Sequence, residues 1–444
     1  MSLVTSTLPL LGRAGLPPVY RAAAPASWLG AVDVALVVLL LLGLYTSYTV
    51  MIARNVPFPS VPAGVAGMIL LWRRRDRLTR TALIAMLSVL TVYAVSVIVA
   101  PDLSFLPRRL NGLVQITYSL VIGYALFLTI TLGSREQIAT LFLACALVLL
   151  VGCLLETYGG LRPLSDGVRK LLYARGLYEG DQRDILYYEQ VRPKFFASEP
   201  SSVTFCYTLF AFVWLTVSRW RWKVPAYLGL VGLGIFAMPG PTLLLMLVLL
   251  APYLVLLAPR RRGRLDPVRL VPMLLVAALS AGSFFLVAEA AFPQRHEDAR
   301  RGDDPSSFYR VRGPLMAAAE IITVHPVTGA GLTGEPFIER RVTDLYLRSP
   351  HYSAAWPVVH PSSELLINYF WLHWVYLGLF FGVLAAAALT GWLLAAGVPS
   401  VAFTWTVWAI MGQAAGAYVG PTCWSVFFLA AACAVLHQDD AAYR

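Results

Sequence analysis

The chain has few charged residues. Only 13% of its 444 residues are Asp, Glu, Lys or Arg, against roughly 25% in typical soluble domains. Hydrophobic residues make up 58% of the chain, and its mean hydropathy is +0.68. This shortage of charge excludes a large soluble domain and predicts an integral membrane protein. Because a helix needs roughly 20 apolar residues to span a bilayer, the chain can hold about a dozen such helices.

Cysteine and histidine are also scarce, with five and six residues respectively. All five cysteines lie inside apolar runs: Cys145, Cys153, Cys206, Cys423 and Cys433. None has metal-ligand spacing, and His296, His325 and His351 have no accompanying cysteine or carboxylate pattern. We therefore expect no disulfide, no metal site and no cofactor.

Apolar segments recur along the chain and predict an all-α fold of about twelve transmembrane helices. They lie near residues 29–52, 57–72, 82–100, 113–132, 138–155, 196–217, 224–239, 241–258, 270–292, 372–396, 400–419 and 421–436. Pro239 or Gly240 should turn the seventh segment into the eighth, and a single kinked helix is the alternative. Two polar stretches interrupt the series, and we expect short helices in both.

Arginine clusters indicate how the helices are oriented. The chain has 35 Lys and Arg against 24 Asp and Glu, and the clusters near residues 73–80, 219–223 and 260–269 all follow even-numbered segments. Because short cytoplasmic loops are enriched in Lys and Arg, both termini should be cytoplasmic and both polar stretches outside. This pattern explains the positive charge without a nucleic-acid partner. The predicted organisation is a cytoplasmic tail (1–28), helices one to five (29–155), a first outer loop (156–194), helices six to nine (195–292), a large outer loop (293–361), helices ten to twelve (362–436) and a second cytoplasmic tail (437–444).

The first candidate site is the string from Arg192 to Ser201, which includes Lys194 and Ser198-Glu199-Pro200. It precedes the sixth membrane helix, whose N-terminus should face outward and attract an anion. Ser198 and Glu199 could instead simply cap that helix.

Two further candidates lie in the large outer loop. Ser307-Phe-Tyr-Arg310-Val-Arg312 opens an amphipathic run that ends in a Gly-rich turn with Gly329 and Gly331. Arginine suits phosphate recognition because its planar fork offers paired donors, although solvated surface arginines are common. His360, before the tenth membrane helix, could accept a proton or bind phosphate, or be structural.

Aromatic residues accompany these arginines. They are Tyr309, Tyr346, Tyr352 and Trp356. Such rings could stack on sugars, but aromatic residues also anchor many membrane proteins at the bilayer interface.

Together these strings resemble the O-antigen polymerase and ligase superfamily of bacterial surface polysaccharide synthesis, the Wzy-type polymerases and WaaL-type ligases. Polymerases of this kind often have an arginine seven residues before the Glu of Ser-Glu-Pro-Ser, as in Arg192 and Glu199. The family also shows Ser-x-x-Arg, a short helix and Pro-x-x-Gly-x-Gly in the outer loop. Ser307, Arg310, Pro326, Gly329 and Gly331 match that pattern, and His360 matches the histidine before the next helix.

The resemblance implies a GT-C type glycosyltransferase of the bacterial inner membrane, with its active site facing the periplasm. Its donor would be an oligosaccharide linked to undecaprenyl diphosphate, and it would need no metal. Arg192 and Arg310, with Arg312 and Lys194, would bind the diphosphate. Glu199 or His360 would act on the acceptor hydroxyl, and Tyr309, Tyr352 and Trp356 would contact sugar.

The resemblance favours a polysaccharide polymerase, because Ser-Glu-Pro-Ser is more typical of polymerases. A ligase that transfers glycan to lipid A-core is the alternative, and a lipid-linked oligosaccharide transporter is a weaker one. Transporters place charged residues near the bilayer midplane. In this chain few charged residues lie inside the apolar segments, and Asp33 is the clearest of them. Expected partners are the lipid-linked oligosaccharide, membrane lipid and a chain-length regulator, but no nucleic acid.

Overall fold

The computed structural model describes residues 28–53, 56–173, 177–257, 267–301, 304, 307–349 and 365–438, and these are almost entirely helical. The α-helices are α1 (Ala31–Thr46), α2 (Val61–Arg73), α3 (Arg80–Ile98), α4 (Leu106–Ile130), α5 (Arg135–Tyr158), α6 (Arg162–Leu172), α7 (Asp181–Tyr188), α8 (Pro200–Val217), α9 (Lys223–Ala237), α10 (Leu245–Leu256), α11 (Pro267–Ala291), α12 (Pro293–Arg301), α13 (Gly313–Val324), α14 (Glu335–Leu347), α15 (Tyr369–Ala395), α16 (Val401–Gly412) and α17 (Pro421–Gln438). A 3-10 turn, Pro241–Leu244, precedes α10, and a π-helical turn, Phe308–Arg312, precedes α13.

Within the described residues, seven helices are long and apolar enough to cross a bilayer. They are Arg80–Ile98, Leu103–Ile130, Arg135–Tyr158, Pro200–Val217, Leu274–Ala291, Tyr369–Ala395 and Pro421–Gln438. Five shorter apolar helices accompany them: Ala31–Thr46, Val61–Arg73, Lys223–Ala237, Pro241–Leu256 and Val401–Gly412. The prediction of an all-α, multi-pass membrane protein is thus confirmed.

The helices differ sharply in how much of their surface the protein covers. In α8, 89% of the apolar stretch is buried, whereas only 6% of Leu274–Ala291 in α11 is buried. Helix α17 packs against both α4 and α8 and is also largely buried. Helices α8 and α17 therefore form the centre of the bundle. Helix α11 exposes apolar side chains such as Phe285 and Leu286, as expected for contact with lipid.

The first predicted segment, 29–52, is helical over a shorter range than expected. Helix α1 ends at Thr46, because Ser47 adopts a left-handed conformation with φ of 48°. Val50–Ala53 (β1) then pairs with Val56–Phe58 (β2) in an antiparallel hairpin. The hairpin therefore replaces the last turns of the predicted helix.

The arginine clusters that the structure describes lie at one end of the bundle. Arg73 and Arg74 at the end of α2 pair with Asp33 at the start of α1. At the start of α5, Arg135 donates to the Val217 carbonyl at the end of α8. We call this end, where α1 and α5 begin and α2 and α8 end, the arginine end.

Helices α6, α7 and α12 to α14 are the short helices expected in the two polar stretches. The first pair lies at the opposite end from the arginine clusters. Tyr173, after α6, donates to the carbonyl of Thr46 at the end of α1 (2.8 Å). Arg169 of α6 donates to the carbonyl of Ala197, just before α8 (2.7 Å). The polar stretches thus cover the end of the bundle that carries the candidate residues.

The Gly-rich turn fits into a break in helix α15. Gly378 interrupts α15 with φ of 63°. The Ala330 and Gly331 amides donate to the carbonyls of Val375 and Tyr376, which the break frees from the helix (2.8 and 2.9 Å). A Cβ on Gly329 would overlap the backbone at Val375 and Gly378. The glycine spacing is therefore explained by close backbone packing, which fixes the outer helices on α15.

Candidate functional site

Arg192 lies in the loop between α7 and α8 and is only 7% exposed. Its Nε donates to Asp184 Oδ1 (2.8 Å), its Nη2 donates to the Tyr178 hydroxyl (2.9 Å), and the guanidinium lies 4.8 Å from the Tyr188 ring centre. Burial lowers the pKa of Arg192, but Tyr188, Tyr178 and the Asp184 carboxylate outweigh it and raise that pKa. The side chain is therefore held charged and in one orientation.

Gly240, just after α9, lies beside the Arg192 side chain. A Cβ on Gly240 would lie 3.6 Å from Arg192 Nη1. The next residues, Pro241 and Thr242, line a cavity at this end of the bundle. Arg192 therefore lies close to the residue that precedes the cavity lining, but it does not itself line the cavity.

Lys194 is buried beside Arg192 but does not line this cavity. Its Nζ pairs with Asp181 (2.7 Å), and its backbone N–H donates to Glu156 (2.9 Å). The structure therefore places Lys194 in the support of the loop, away from the cavity to which the diphosphate role would bring it.

Glu199 is the N-cap residue of α8, yet its side chain makes no capping hydrogen bond. Its carboxylate instead accepts a hydrogen bond from the Ser201 hydroxyl. The same carboxylate attracts the guanidinium of Arg310 electrostatically. Simple capping does not account for this carboxylate, whose charge acts on the arginine of a distant segment.

Arg310 lies in the π-helical turn before α13 and lines the cavity. Its Nε is buried and makes no hydrogen bond within the part of the chain that the structure describes. Burial lowers the pKa of Arg310, and Arg295 and Arg192 lower it further, while Glu199 and Asp304 act in the opposite direction. An arginine remains charged under such conditions, so Arg310 is a desolvated cation that an anion would stabilise.

Arg295 of α12 is a residue that the sequence motifs did not identify. It lines the same cavity and is 9% exposed. Its Nε pairs with Asp304 (3.0 Å), and its Nη1 donates to the hydroxyl of Tyr188. Tyr188 therefore lies between Arg295 and Arg192 and contacts both guanidinium groups.

The cavity has a volume of about 670 Å³ and two chemically different parts. Its wall is apolar and comes from the Pro241–Leu244 turn, α10 and α11, with side chains such as Leu245, Phe284 and Phe292. Its mouth is cationic, with the guanidinium groups of Arg295, Arg300, Arg310 and Arg312, and His296 and Asp304 lie beside them. The size lies within the usual range of about 300–1,000 Å³ for ligand sites. An amphiphile with an anionic head matches this division.

The other predicted site residues are distributed differently. Arg312 lines the mouth but is exposed. Tyr309 is partly buried, with its ring 6.4 Å from that of Tyr346. Tyr346 is buried and donates to the Leu365 carbonyl, so the expectation that it could stack on a sugar is wrong. His360, Tyr352 and Trp356 lie outside the described residues.

Carboxylates near the cavity form ion pairs with arginines and do not cluster with each other. Asp184 pairs with Arg192 and Asp304 with Arg295. Over the described ranges, no three His, Cys, Asp or Glu side chains lie close enough together to hold a metal ion. The charged groups that the structure brings to this site are therefore mainly guanidinium groups.

Comparison of the chain with protein-family models, with curated proteins and with solved structures finds no match. The geometry of the site is therefore the basis for the functional proposal that follows.

Proposed function

We propose that this protein is a polysaccharide polymerase of the bacterial inner membrane. It would transfer a growing glycan from undecaprenyl diphosphate to a sugar hydroxyl of another lipid-linked repeat unit. The observation that carries this proposal is the cavity in which an apolar wall leads to Arg295 and Arg310, with Arg192 beside Gly240 next to the lining. A polyprenyl diphosphate has the matching division between an apolar chain and an anionic head.

The proposed topology has twelve membrane helices with both termini in the cytoplasm. It adds the five shorter apolar helices to the seven long ones. The arginine end then faces the cytoplasm, in line with the enrichment of arginine in cytoplasmic loops. The cavity lies at the opposite end, so in this topology it opens at the periplasmic face.

In the proposed reaction, the acceptor hydroxyl oxygen forms a bond to the anomeric carbon of the donor glycan. The bond from that carbon to the diphosphate oxygen breaks, and the lipid diphosphate leaves with the bonding electrons. Charge therefore grows on the diphosphate in the transition state, where preorganised cations lower the barrier most. Arg310 and Arg295 would contact the diphosphate, and Arg192 would add positive charge close to them. Arg312 would lie at the rim.

The proton of the acceptor hydroxyl must pass to a base. Glu199 and His360 remain the two candidates for this role. The Glu199 carboxylate attracts Arg310 electrostatically, so it could orient the hydroxyl of an acceptor sugar while the diphosphate binds the arginines. His360 follows from the sequence and lies outside the described residues. The oligosaccharide and surrounding lipid are the proposed partners, together with a chain-length regulator, and Tyr309 would lie near the sugars.

The proposal is tested by reconstituting the purified protein in liposomes with lipid-linked repeat units and separating the glycans by length. Wild-type protein should produce a ladder of polymer. Arg295→Gln should slow its formation strongly, whereas Arg301→Gln on the same helix should not, since Arg301 is exposed and pairs with Glu297. Transfer only to lipid A-core would identify a ligase, and the absence of any glycosidic transfer would overturn the proposal.

A further inference from the structure

A second cavity, of about 310 Å³, lies at the arginine end of the bundle, where α1 begins and α2 ends. It is separate from the cavity described above and shares no lining residue with it. Three guanidinium groups, of Arg73, Arg74 and Arg77, line it together with Asp33 and Asp76. The proposed glycan transfer uses none of these residues.

The positive charges of this cavity are only partly neutralised. Asp33 binds Arg73 through one carboxylate oxygen (2.7 Å) and Arg74 through the other (2.5 Å), so one negative charge serves two cations. Asp76 also lines the cavity, but its side chain is 90% exposed and lies 4.0 Å from Arg75, which does not line it. Arg77 makes the third cation, and the lining keeps a net positive charge.

Two groups at this cavity still have hydrogen-bonding capacity. The Nε of Arg74 is buried and has no hydrogen-bond partner among the described residues. Helix α1 starts at Ala31, and its N-cap residue Gly30 offers no side chain to the unpaired N–H groups of the first turn. Unpaired donors at a helix N-terminus attract anions. Both features favour an anionic ligand with several acceptor oxygens.

The surface next to the cavity is apolar and uncovered. Val32 and Leu42 of α1 are 57% and 50% exposed, and Met68 of α2 is 52% exposed. Trp28 and Trp72, beside the arginines, are 71% and 65% exposed. Tryptophan is enriched at the level of lipid headgroups, and exposed aliphatic residues in a membrane helix face acyl chains. The second cavity therefore lies beside an apolar surface that suits the acyl chains of a lipid.

We propose that this cavity binds the phosphate-bearing headgroup of an anionic glycerophospholipid, whose acyl chains lie along the exposed faces of α1 and α2. Basic pockets between membrane helices on the cytoplasmic side suit such headgroups, because each nearby Lys or Arg adds about 1 kcal/mol of attraction. A free phosphate shares the headgroup chemistry but cannot use the apolar surface. The site is independent of the glycan-transfer proposal.

The test is retention of lipid by the full-length protein, purified from nanodiscs of phosphatidylglycerol or phosphatidylcholine and analysed by native mass spectrometry. Wild-type protein should retain phosphatidylglycerol in preference. Arg77→Gln should weaken that retention about fivefold, from the loss of about 1 kcal/mol. Arg80→Gln is the matched control, because Arg80 is exposed at the start of α3 and does not line the cavity.

A second variant reverses the sign of the effect. Asp33→Asn removes the carboxylate that neutralises Arg73 and Arg74, so retention of phosphatidylglycerol should increase. Equal retention of the two lipids by wild-type protein, or equal loss in Arg77→Gln and Arg80→Gln, would overturn the proposal. Displacement of the lipid by millimolar inorganic phosphate would overturn it too, because the site would then be one for a free anion.

Discussion

Replacing Arg310 by alanine should remove most activity. Arg310 is desolvated and faces the cavity, so its attraction to a bound diphosphate is poorly screened. Two unit charges about 4 Å apart interact by about 4 kcal/mol at an effective dielectric constant of about 20. Truncating one partner of a buried charge pair costs roughly 2–5 kcal/mol. This corresponds to a fall in kcat/KM of roughly 30-fold to 5,000-fold.

Arg312, two residues further on, provides the matched control. Its side chain is exposed at the rim of the same cavity, and exposed ion pairs contribute only about 0–1 kcal/mol. Arg312→Ala should therefore lower kcat/KM by less than about tenfold. The assay is the initial rate of glycan transfer from lipid-linked repeat units in proteoliposomes.

Stability measurements separate loss of catalysis from loss of folding. Arg310 is repelled by Arg295 and Arg192 and is desolvated in the absence of ligand, so Arg310→Ala should leave the Tm unchanged or raise it. Retention of near-normal turnover by Arg310→Ala would refute the role given to this side chain. An equal loss of activity in Arg310→Ala and Arg312→Ala would refute the argument from desolvation.

Four other predictions follow from the same account. Activity should survive EDTA, because guanidinium groups supply the positive charge; complete loss that Mg²⁺ restores would count against it. Arg310→Lys should lose activity as pH rises, since the burial and neighbouring cations that lower the arginine pKa would lower that of lysine too, and lysine then deprotonates; a flat profile matching wild type would be inconsistent. A cysteine at exposed Asp344 should react with an impermeant thiol reagent added from the periplasmic side, and one at exposed Asp76 should not; the reverse would place the site in the cytoplasm. If His360 is the base, His360→Ala should reduce the rate roughly 100-fold or more and remove its rise through about pH 6–7, whereas Glu199→Gln should preserve that rise; the opposite pattern would make Glu199 the base.

Composition and local patterns were enough to predict the class of the fold. The lack of charge predicts membrane helices because the bilayer imposes the same requirement on every spanning segment. The end of the first helix was harder to predict, since apolar residues continue past Thr46 and only the left-handed turn at Ser47 stops it. The break at Gly378 was likewise hidden, because it depends on a turn near residue 330 that packs into it.

The site shows the same limit more clearly. Arg192 and Arg310 belong to short strings and could be proposed from them. Arg295 has no such string, and its importance arises from its pairing with Asp304 and from Tyr188, which α7 brings to it from a distant part of the chain. Charge pairing between separate segments is a tertiary property, and no local spacing in the sequence encodes it. The ion pair between Lys194 and Asp181 is likewise a contact that the string around Lys194 does not predict.

The most direct test of the central claim is the stoichiometry of a single bond-forming event. Purified protein would receive lipid-linked repeat units carrying an isotopic label in the sugar, and the glycolipids and released lipid would be quantified together by mass spectrometry. Each two-repeat glycan formed on one lipid should be accompanied by one molecule of free undecaprenyl diphosphate. Recovery of the label only on intact single-repeat glycolipid, with no undecaprenyl diphosphate released, would contradict it.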